Sequence, residues 1–442
     1  EGGFTIAAGL DYVVDYCKNL QFEQGELEYL RKMKQKDGSA MFEAAFLDYL
    51  RDLRFTCDID AVEEGTVVFP NAPMVQVRGS LIQCQLLETP LLNILNFQTL
   101  IATKAARINL AAKGAPVLEF GLRRAQGIDG ALAASRASYI GGCTSTSNVM
   151  AGKLFDIPVS GTHAHSWILS FDSELEAFHA YAEAFPDHCV FLVDTYDTLS
   201  GVKNAIQVGL SLRQKGKEML GIRIDSGDLA YFSIQARQLL DEAGFPEAKI
   251  YASNDLDEYI ITSLKSQDAA IDVWGVGTKL VTAFDQPALG AVYKLSAIKN
   301  EAGNWEPKVK VSQQSLKINV PGIHKVRRYF SKDKAVADMI YLEGQEIDPK
   351  GVMIIDPNDA TQRKRLMPAF YEAEELLKPI FRNGELVYSL PSLQAIRERA
   401  QVQLSAFDKT HKRLTNPHVY PVGLEEQLHQ LRMELVLAAK TN

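Results

Sequence analysis

The stretches at 190–197 and 221–228 decide the fold; they read Val-Phe-Leu-Val-Asp-Thr-Tyr-Asp and Gly-Ile-Arg-Ile-Asp-Ser-Gly-Asp. Each begins with a short apolar run that is typical of a buried strand, and each ends in charged and small polar residues. A helical segment follows each of them, as in a parallel β–α unit, where a long crossover joins neighbouring strands. Folds of this kind place their chemistry at the carboxyl ends of the strands.

Five more runs of the same kind extend the pattern in both directions. The seven predicted strands are Val117–Phe120, Ser138–Ile140, Ile157–Ser160, Val190–Val193, Gly221–Ile224, Ile250–Ala252 and Val273–Trp274. The spacing between their ends suits one strand and one helix per unit, so the series predicts a closed α/β barrel whose strand tips share one rim. A doubly wound open sheet is the alternative arrangement.

This pattern divides the chain of 442 residues into three parts. Residues 1–112 read as helices with two short extended pieces, and residues 113–298 contain the α/β series. Residues 299–442 mix extended pieces with two amphipathic helices near the end. The length predicts about three domains, or one large barrel with additions, at roughly 150 residues per domain.

The composition is that of a globular protein and disfavours several classes of function. Lys and Arg number 47 and Asp and Glu number 55, so the net charge of −8 disfavours a protein that wraps nucleic acid. No apolar run approaches the roughly 18 residues of a membrane span. The five cysteines are odd in number and form no C-x-x-C pair, which disfavours a disulfide framework or a zinc site and favours the reducing cytoplasm. The signatures of Walker nucleotidases, Rossmann dehydrogenases, zincins and serine hydrolases are missing.

The tips of the first two predicted strands carry aromatic, basic and hydroxyl residues. Phe120 offers a flat apolar face, and Arg123 offers a planar fork for a carboxylate or a phosphate. A core phenylalanine beside a solvated arginine is the plainer alternative. At the second tip, Thr146 and Ser147 follow two glycines in a segment whose backbone N–H groups suit an anion, although Ser and Thr also favour a simple helix N-cap.

The third and fourth tips carry two histidines and two aspartates. His163 and His165 lie in a Gly-Thr loop, where a histidine beside a phosphate site acts as acid, base or nucleophile. No carboxylate or cysteine stands at a spacing that would make them zinc ligands, and a structural histidine is the alternative. Asp194 and Asp197 lie three apart; such a pair holds Mg²⁺ or orients a histidine, unless it caps the next helix.

The last three tips suit a phosphosugar. Arg223 and Asp225 lie two apart on a strand and therefore share a face, where a guanidinium binds an anion and a carboxylate accepts from sugar hydroxyls. An internal salt bridge is the alternative for this pair. Gly275 and Gly277, after the seventh strand, would let a ligand approach the backbone closely, and the last strands of such barrels often bind phosphate.

Six of these motifs, in this order, resemble the nicotinate phosphoribosyltransferase family. They are Glu119–Arg124, the Thr-Ser-Asn at 146–148, the Gly-Thr-x-Ala-His at 161–165, the Val-Asp-Thr-Tyr-Asp at 193–197, the Arg-x-Asp-Ser-Gly-Asp at 223–228 and the Gly-Val-Gly-Thr at 275–278. The likeness runs from Phe4–Leu10 to the carboxyl-terminal helices. It implies an irregular, TIM-like α/β barrel flanked by an α+β domain that is built from both chain termini.

The resemblance also implies a reaction and its partners. Members of the family join nicotinate to phosphoribosyl pyrophosphate, giving nicotinate mononucleotide and pyrophosphate, in the salvage branch of NAD biosynthesis. They use Mg²⁺ and couple ATP hydrolysis to synthesis through a phosphohistidine, which by motif position is His165. Homodimers with active sites at the subunit interface are implied, in the cytoplasm, with neither nucleic acid nor membrane as a partner.

Motif position also implies the roles of single residues. The catalytic residues are expected to be His165, Asp225, Arg223 and Asp197. The substrate-binding residues are expected to be Phe120, Arg123, Thr146, Ser147, Thr162, His163, Ser253, Asn254, Gly275, Gly277 and Thr278. Phe120 would stack on the pyridine ring, Asp225 would hold the ribose hydroxyls, and Asp197 would lie near the histidine and the metal, which is otherwise bound through phosphates. Fixed charges of this kind stabilise an oxocarbenium-like state at the anomeric carbon.

Several alternatives stay open. Nicotinamide-specific relatives favour an aspartate near position 147, and Ser147 suits the nicotinate carboxylate better because an aspartate would repel it. Quinolinate as the substrate, a non-catalytic phosphosugar-binding barrel, and an unrelated aldolase with Lys279 as its Schiff-base lysine are further rivals. The family's segment before Phe4, with an aromatic that completes the pyridine sandwich from the partner subunit, is missing here, so we expect that this segment was truncated or left unrecorded.

Overall fold

Helices surround a parallel sheet at the centre of the molecule, and sheets of mainly antiparallel pairs flank it. The computed structural model describes residues 3–311 and 318–441. Its strands are β1 (Thr5–Ile6), β2 (Asp58–Val62), β3 (Val67–Val68), β4 (Val75–Arg78), β5 (Val117–Glu119), β6 (Ser145–Thr146), β7 (Val190–Leu192), β8 (Gly221–Ile224), β9 (Lys249–Ala252), β10 (Val273–Val276), β11 (Ala297–Lys299), β12 (Trp305–Pro307), β13 (His324–Ser331), β14 (Lys334–Leu342), β15 (Val352–Ile355), β16 (Arg363–Leu366), β17 (Glu372–Glu375), β18 (Leu377–Arg382), β19 (Glu385–Leu386) and β20 (Val422–Glu425). Its α-helices are α1 (Leu10–Lys18), α2 (Gln24–Lys32), α3 (Ala44–Arg51), α4 (Leu81–Ala112), α5 (Gly127–Ile140), α6 (Val149–Phe155), α7 (His165–Ile168), α8 (Glu174–Ala184), α9 (Thr198–Gln214), α10 (Leu229–Glu242), α11 (Glu258–Ser266), α12 (Thr278–Val281), α13 (Leu393–Ala406) and α14 (Glu426–Thr441).

Six short strands form the parallel sheet, in the order β6-β5-β10-β9-β8-β7. All residues of β7 and of β10 are buried. A parallel strand that is buried on both faces reads as a continuous apolar run, which is why the sequence pattern located five of the six directly. The predicted α/β class, with a parallel sheet at its core, is confirmed.

One predicted strand is wrong, because Ser138–Ile140 is the last turn of α5. This helix packs against α4 through small residues, so a Cβ on Gly141 would lie 2.3 Å from the carbonyl oxygen of Ala102. A short run of small and apolar residues does not distinguish a buried helix end from a buried strand. The true strand, β6, begins at Ser145, so the glycines at 141–142 precede it instead of following it.

An irregular segment closes the ring between β6 and β7. The predicted strand Ile157–Ser160 makes one parallel bridge, between Val159 and Thr146. On the other side, the backbone N–H of Leu192 donates to Nε2 of His163 at 3.3 Å. A side chain therefore satisfies an edge amide of β7 that a seventh full strand would otherwise pair.

The flanking sheets join distant parts of the chain. One antiparallel sheet has the order β19-β18-β2-β4, so two strands from residues 299–442 join two strands from residues 1–112 through the pairing of β18 with β2. The buried carboxylate of Asp60 on β2 pairs with Arg78 on β4 and with Arg382 on β18, each at 2.5 Å. A second, six-stranded sheet has the order β16-β15-β20-β14-β13-β17.

Helix α4 connects the flanking part to the barrel. Ser80 caps its amino end by accepting from the N–H of Gln83, and its second half is buried against α5 and α11. No helix in the described part of the chain combines the length and the apolar character that a membrane span requires.

Candidate active site

His165 lies where the irregular segment meets the tips of β7 and β8. It begins the short helix α7, and its side chain is 39% exposed. Its Nδ1 lies 3.0 Å from the hydroxyl of Thr195. Its Nε2 lies 3.6 Å from a carboxylate oxygen of Asp225 and 4.0 Å from one of Asp194. The imidazole is thus oriented by three neighbours and still accessible to a bound molecule, as a nucleophile must be.

Asp194 is the member of the aspartate pair that lies beside His165, although the expected catalytic residue of that pair was Asp197. Its side chain is 1% exposed, and Oδ2 accepts from the backbone N–H of Asp225 at 2.9 Å and from the hydroxyl of Ser226 at 2.6 Å. Its Oδ1 has no hydrogen-bond partner among the described residues and lies 4.0 Å from Nε2 of His165. Asp194 directly follows the apolar run, and this position at the strand end is the signal that favours it over Asp197.

Asp197 is the N-cap of α9. Its carboxylate accepts from the backbone N–H of Ser200 at 2.8 Å, and hydrogen bonding from Ser200 holds the pKa of Asp197 below its usual range. The carboxylates within 4.0 Å of the His165 ring are those of Asp194 and Asp225. The capping alternative accounts for the observed contacts of Asp197, and its role near the histidine and the metal stays a prediction.

Arg223 and Asp225 meet at the tip of β8, as their spacing predicts. Nη2 of Arg223 lies 3.3 Å from Oδ1 of Asp225. Ser253, at the tip of β9, joins them, because its hydroxyl accepts from Nε of Arg223 at 3.1 Å and donates to Asp225. The two charged side chains are 15% and 25% exposed, so they remain open to an anion and to sugar hydroxyls while being held in place.

Thr162 links the histidine loop to this charged pair. Its hydroxyl oxygen accepts from Nη1 of Arg223, and its proton is directed to the carbonyl oxygen of His163 at 3.2 Å. The loop that carries His165 is therefore tied to the guanidinium of the pocket.

His163 has the surroundings of a structural histidine. It is buried, and burial lowers its pKa to about 4. Its ring packs against three aromatic side chains, those of Phe178, Tyr181 and Phe191. Since its Nε2 accepts from β7, these contacts favour the structural alternative, and substrate binding by His163 stays a prediction.

Phe120 fills the space that Gly275 leaves. Its N–H donates to the carbonyl oxygen of Val276 at 2.8 Å, and a Cβ on Gly275 would lie 2.8 Å from two of its ring carbons. We expected the missing side chain at 275 to admit a ligand; the Phe120 ring occupies that room. Gly275 thus contributes to the pocket by supporting an aromatic face.

Thr146 and Ser147, at the tip of β6, differ in whether their hydroxyl groups are already hydrogen-bonded within the protein. The hydroxyl of Thr146 is buried; it donates to Glu119 at 2.6 Å and accepts from the N–H of Asn148 at 2.9 Å. Ser147 is half-buried, and within the described residues its hydroxyl has no hydrogen-bond partner. Ser147 is therefore the better placed of the two to bind a ligand directly.

The Gly-Val-Gly-Thr turn leads into α12, with Gly277 as the N-cap and Thr278 as the first residue. Nζ of Lys279 lies 2.7 Å from a carboxylate oxygen of Asp257, and this hydrogen bond raises the pKa of Lys279. A Schiff-base lysine needs the opposite shift, so the pair disfavours the aldolase alternative. It also fixes the turn to the start of α11.

Asn254 and Arg123 are exposed residues that follow β9 and β5. Asn254 adopts a left-handed backbone with φ of 94° just after β9. Arg123 lies in a 3-10 turn after β5, and its guanidinium makes no hydrogen bond or ion pair with any described residue. An unpaired guanidinium at this position suits a phosphate.

The two ends of the chain match two family models. The model described as the nicotinate phosphoribosyltransferase N-terminal domain matches residues 1–96, and the one described as the nicotinate phosphoribosyltransferase C-terminal domain matches residues 323–432. Whole-chain relatives carry the same name. The nicotinate phosphoribosyltransferase of Bacillus subtilis is 45% identical over 100% of this chain and 89% of its own length. The human protein of that name is 33% identical over 97% of this chain and 89% of its own length.

Solved structures agree with these relatives. The crystal structure of human nicotinic acid phosphoribosyltransferase has a TM-score of 0.85 with this chain at 31% identity, and the match covers 98% of this chain and 93% of the human one. A nicotinate-nucleotide pyrophosphorylase from Pyrococcus furiosus shares the fold, with a TM-score of 0.67 at 22% identity over 91% of this chain and 86% of its own.

Proposed function

The chain belongs to the nicotinate phosphoribosyltransferase family, and from this membership we propose that it is the enzyme that joins nicotinate to phosphoribosyl pyrophosphate in NAD salvage. One observation carries the proposal: Arg223, Asp225 and Ser253 contact one another at the tips of the adjacent strands β8 and β9, and His165 lies beside Asp225. The cytoplasmic location expected from the cysteine content stays a prediction.

The proposed reaction is a displacement at the anomeric carbon of the ribose. The pyridine nitrogen of nicotinate forms the new C–N bond, and the bond from that carbon to pyrophosphate breaks with its electron pair leaving on oxygen. Asp225 holds the ribose hydroxyls and stabilises the positive charge that develops on the sugar. Arg223 binds the nicotinate carboxylate or the 5′-phosphate; its contact with Asp225 fixes the geometry in advance.

We assign the remaining substrate contacts by chemistry. The ring of Phe120 stacks on the pyridine ring of nicotinate, and the free hydroxyl of Ser147 donates to the nicotinate carboxylate. Backbone N–H groups at Gly277 and Thr278 bind the 5′-phosphate, and the unpaired Arg123 binds pyrophosphate or ATP. Thr162, His163 and Asn254 stay predicted substrate contacts, of which Thr162 is supported by its hydrogen bond to Arg223.

ATP hydrolysis is proposed to act through His165. A ring nitrogen takes the γ-phosphoryl group, so an N–P bond forms while the bond to ADP breaks. Asp194, with its partner-free Oδ1 beside the ring, orients His165 for this step. The added phosphate brings about −1.5 to −2 charges, by analogy with other phosphorylated side chains, next to Asp225. Such a charge would attract Mg²⁺. It would also order the loop that carries His165, which Thr162 connects to Arg223.

The donor set around His165 fits Mg²⁺ as an ion held mainly by substrate phosphates. The buried Oδ1 of Asp194 is a partner-free carboxylate oxygen, the ligand type that Mg²⁺ prefers. No group of three or more His, Cys, Asp or Glu side chains in the described part of the chain is arranged to hold a metal by itself. When bound, the ion would neutralise the leaving pyrophosphate.

A homodimer with shared sites is supported by apolar residues on the elements that follow the strand tips. The exposed ones are Leu122, Ile128, Val149, Met150, Leu169 and Tyr196. Ile128→Glu should shift sedimentation from dimer to monomer, because it would place a charge in the proposed apolar interface. Tyr29→Glu, on the exposed face of α2, is the matched control. A wild-type protein that sediments as a monomer would refute the dimer.

Product analysis tests the reaction. The protein is incubated with phosphoribosyl pyrophosphate, Mg²⁺, ATP and one of nicotinate, nicotinamide or quinolinate, and the products are separated by chromatography. A mononucleotide formed from nicotinate alone is expected. Product from nicotinamide or quinolinate instead would overturn the substrate assignment, and no product from any of them would favour the non-catalytic phosphosugar-binding barrel. Arg223→Gln should abolish product, and Arg51→Gln, at an exposed position, should not.

A further inference from the structure

Glu119 is a buried carboxylate next to Phe120 that no step of the proposed reaction uses. It is the last residue of β5 and is 1% exposed. Its Oε1 accepts from the backbone N–H of Gly121, and its Oε2 accepts from the hydroxyls of Ser135 at 2.8 Å and Thr146 at 2.6 Å. The donors come from the turn after β5, from α5 and from β6, so one side chain ties three elements together.

A second set of hydrogen bonds extends this arrangement to Ser147. The backbone N–H of Ser147 donates to the carbonyl oxygen of Glu119 at 2.9 Å. Asn148, on the other side, donates its backbone N–H to Thr146 at 2.9 Å and its amide to Ser135 at 3.2 Å. Both neighbours of Ser147 are therefore fixed to groups that bond directly to the Glu119 carboxylate.

Packing leaves the turn at Phe120 little freedom to move. A Cβ on Gly121 would lie 2.2 Å from a methyl carbon of Val281, and the Phe120 ring fills the space at Gly275. Phe120 stands between Glu119 and Gly121, which are joined by a hydrogen bond. The direction of its ring is consequently set by the Glu119 side chain on one side and by close packing on the other.

We propose that Glu119 is a positioning residue for the nicotinate end of the pocket, where it fixes the ring of Phe120 relative to the hydroxyl of Ser147. This inference rests on the proposed function. A carboxylate suits this position, because the N–H of Gly121 can only donate and the hydroxyls of Ser135 and Thr146 both direct their protons to Oε2 of Glu119. A glutamine amide would turn an NH₂ group toward one of these donors.

Steady-state kinetics of Glu119→Gln tests the proposal. We expect the KM for nicotinate to rise about tenfold, while kcat and the KM for phosphoribosyl pyrophosphate stay within about twofold of wild type. Glu425→Gln is the matched control, since that carboxylate is also buried and accepts backbone N–H groups, but it lies on β20. It should lower thermal stability without changing the ratio of the two KM values.

The outcomes distinguish a failure of the proposed role of Glu119 from a failure of the proposed function. An equal rise in both KM values, or a fall in kcat alone, would overturn the role of Glu119 and leave the proposed function standing. A wild-type protein that forms no nicotinate mononucleotide would sink the proposed function itself. If Glu119→Gln does not fold, Ser135→Ala removes one donor from a helix outside the pocket, and it should raise the KM for nicotinate selectively; an unchanged KM would then count against the proposal.

Discussion

At the scale of single residues, two histidines two positions apart have opposite environments. His165 is partly exposed and faces two carboxylates, whereas His163 is buried among aromatic rings. Neighbours two apart in an irregular loop have no fixed relation, unlike those on a strand. The same contrast separates Asp194, which is buried beside the ring, from Asp197, which caps a helix.

His165→Ala should retain some basal synthesis of nicotinate mononucleotide and lose its stimulation by ATP. The reason is that the proposed phosphorylation site is gone while Arg223 and Asp225, which are proposed to bind the sugar and its phosphate, remain. Initial rates with and without ATP measure the effect, and His188→Ala, at an exposed position, serves as the control. Equal stimulation in His165→Ala and wild type would contradict the role.

Ser147→Asp should lower kcat/KM for nicotinate by at least about tenfold relative to nicotinamide, because a carboxylate would repel the nicotinate carboxylate and accept from an amide. The two specificity constants, measured under identical conditions, give the ratio. Ser266→Asp, an exposed position on α11, controls for the added charge. An unchanged ratio would mean that Ser147 does not meet the carboxylate.

At the scale of elements, the region between β6 and β7 shows how a barrel closes without a full strand. The segment 157–163 makes one backbone bridge and supplies the imidazole of His163 to the N–H of Leu192. Because His165 follows two residues later, the segment that closes the ring also leads directly to the proposed phosphorylation site. Its position in the pocket depends on that closure.

The closure predicts a pH-dependent stability. His163 has its pKa lowered to about 4 by burial, from an ordinary value of 6.5. The neutral imidazole of His163 contributes its full stabilisation above about pH 6.5. This stabilisation is lost as the pH falls toward 4, because in that range His163 is protonated in the unfolded chain and neutral in the folded protein. Between pH 6.5 and 5, the free energy of unfolding of wild type should fall by about 1.5 kcal/mol more than that of His163→Gln.

Chemical denaturation at the two pH values measures this difference. His188→Gln, which removes an exposed histidine, should keep the wild-type pH dependence. Parallel curves for wild type and His163→Gln would show that the buried imidazole does not titrate as expected.

At the scale of the whole molecule, the two ends of the chain form one sheet beside the barrel. Asp60 on β2 lies between Arg78 and Arg382, which are 18 and 322 positions away along the chain. It is 1% exposed, so its charge is balanced mainly by these two guanidinium groups. The sheet therefore holds together parts of the chain that the barrel separates in sequence.

Asp60→Asn should lower the free energy of unfolding by about 3 kcal/mol, because it leaves two partly buried guanidinium groups without their anion. The KM for nicotinate should stay unchanged, since the sheet lies outside the pocket's contacts. Asp48→Asn, whose partner Arg51 is exposed, should have little effect on denaturation. A denaturation midpoint equal to that of wild type would show that the cross-chain pair is not stabilising.

The sequence by itself determined the series of parallel strands and the chemistry at their tips. Both are local properties: an apolar run of a few residues marks a buried strand, and polar residues after it mark the tip. Arg223 and Asp225 were placed together correctly because strand periodicity is also local. The family likeness followed from the order of these short motifs.

Only the tertiary structure decided the surroundings of each member of these candidate pairs. In the structure His165 is partly exposed whereas His163 is buried, and Asp194 rather than Asp197 lies beside the His165 ring. The ring of Phe120 fills the space beside Gly275. The structure also showed that Ser138–Ile140 ends a helix. Burial and distance arise from contacts between residues far apart in the chain, and no short-range pattern records them.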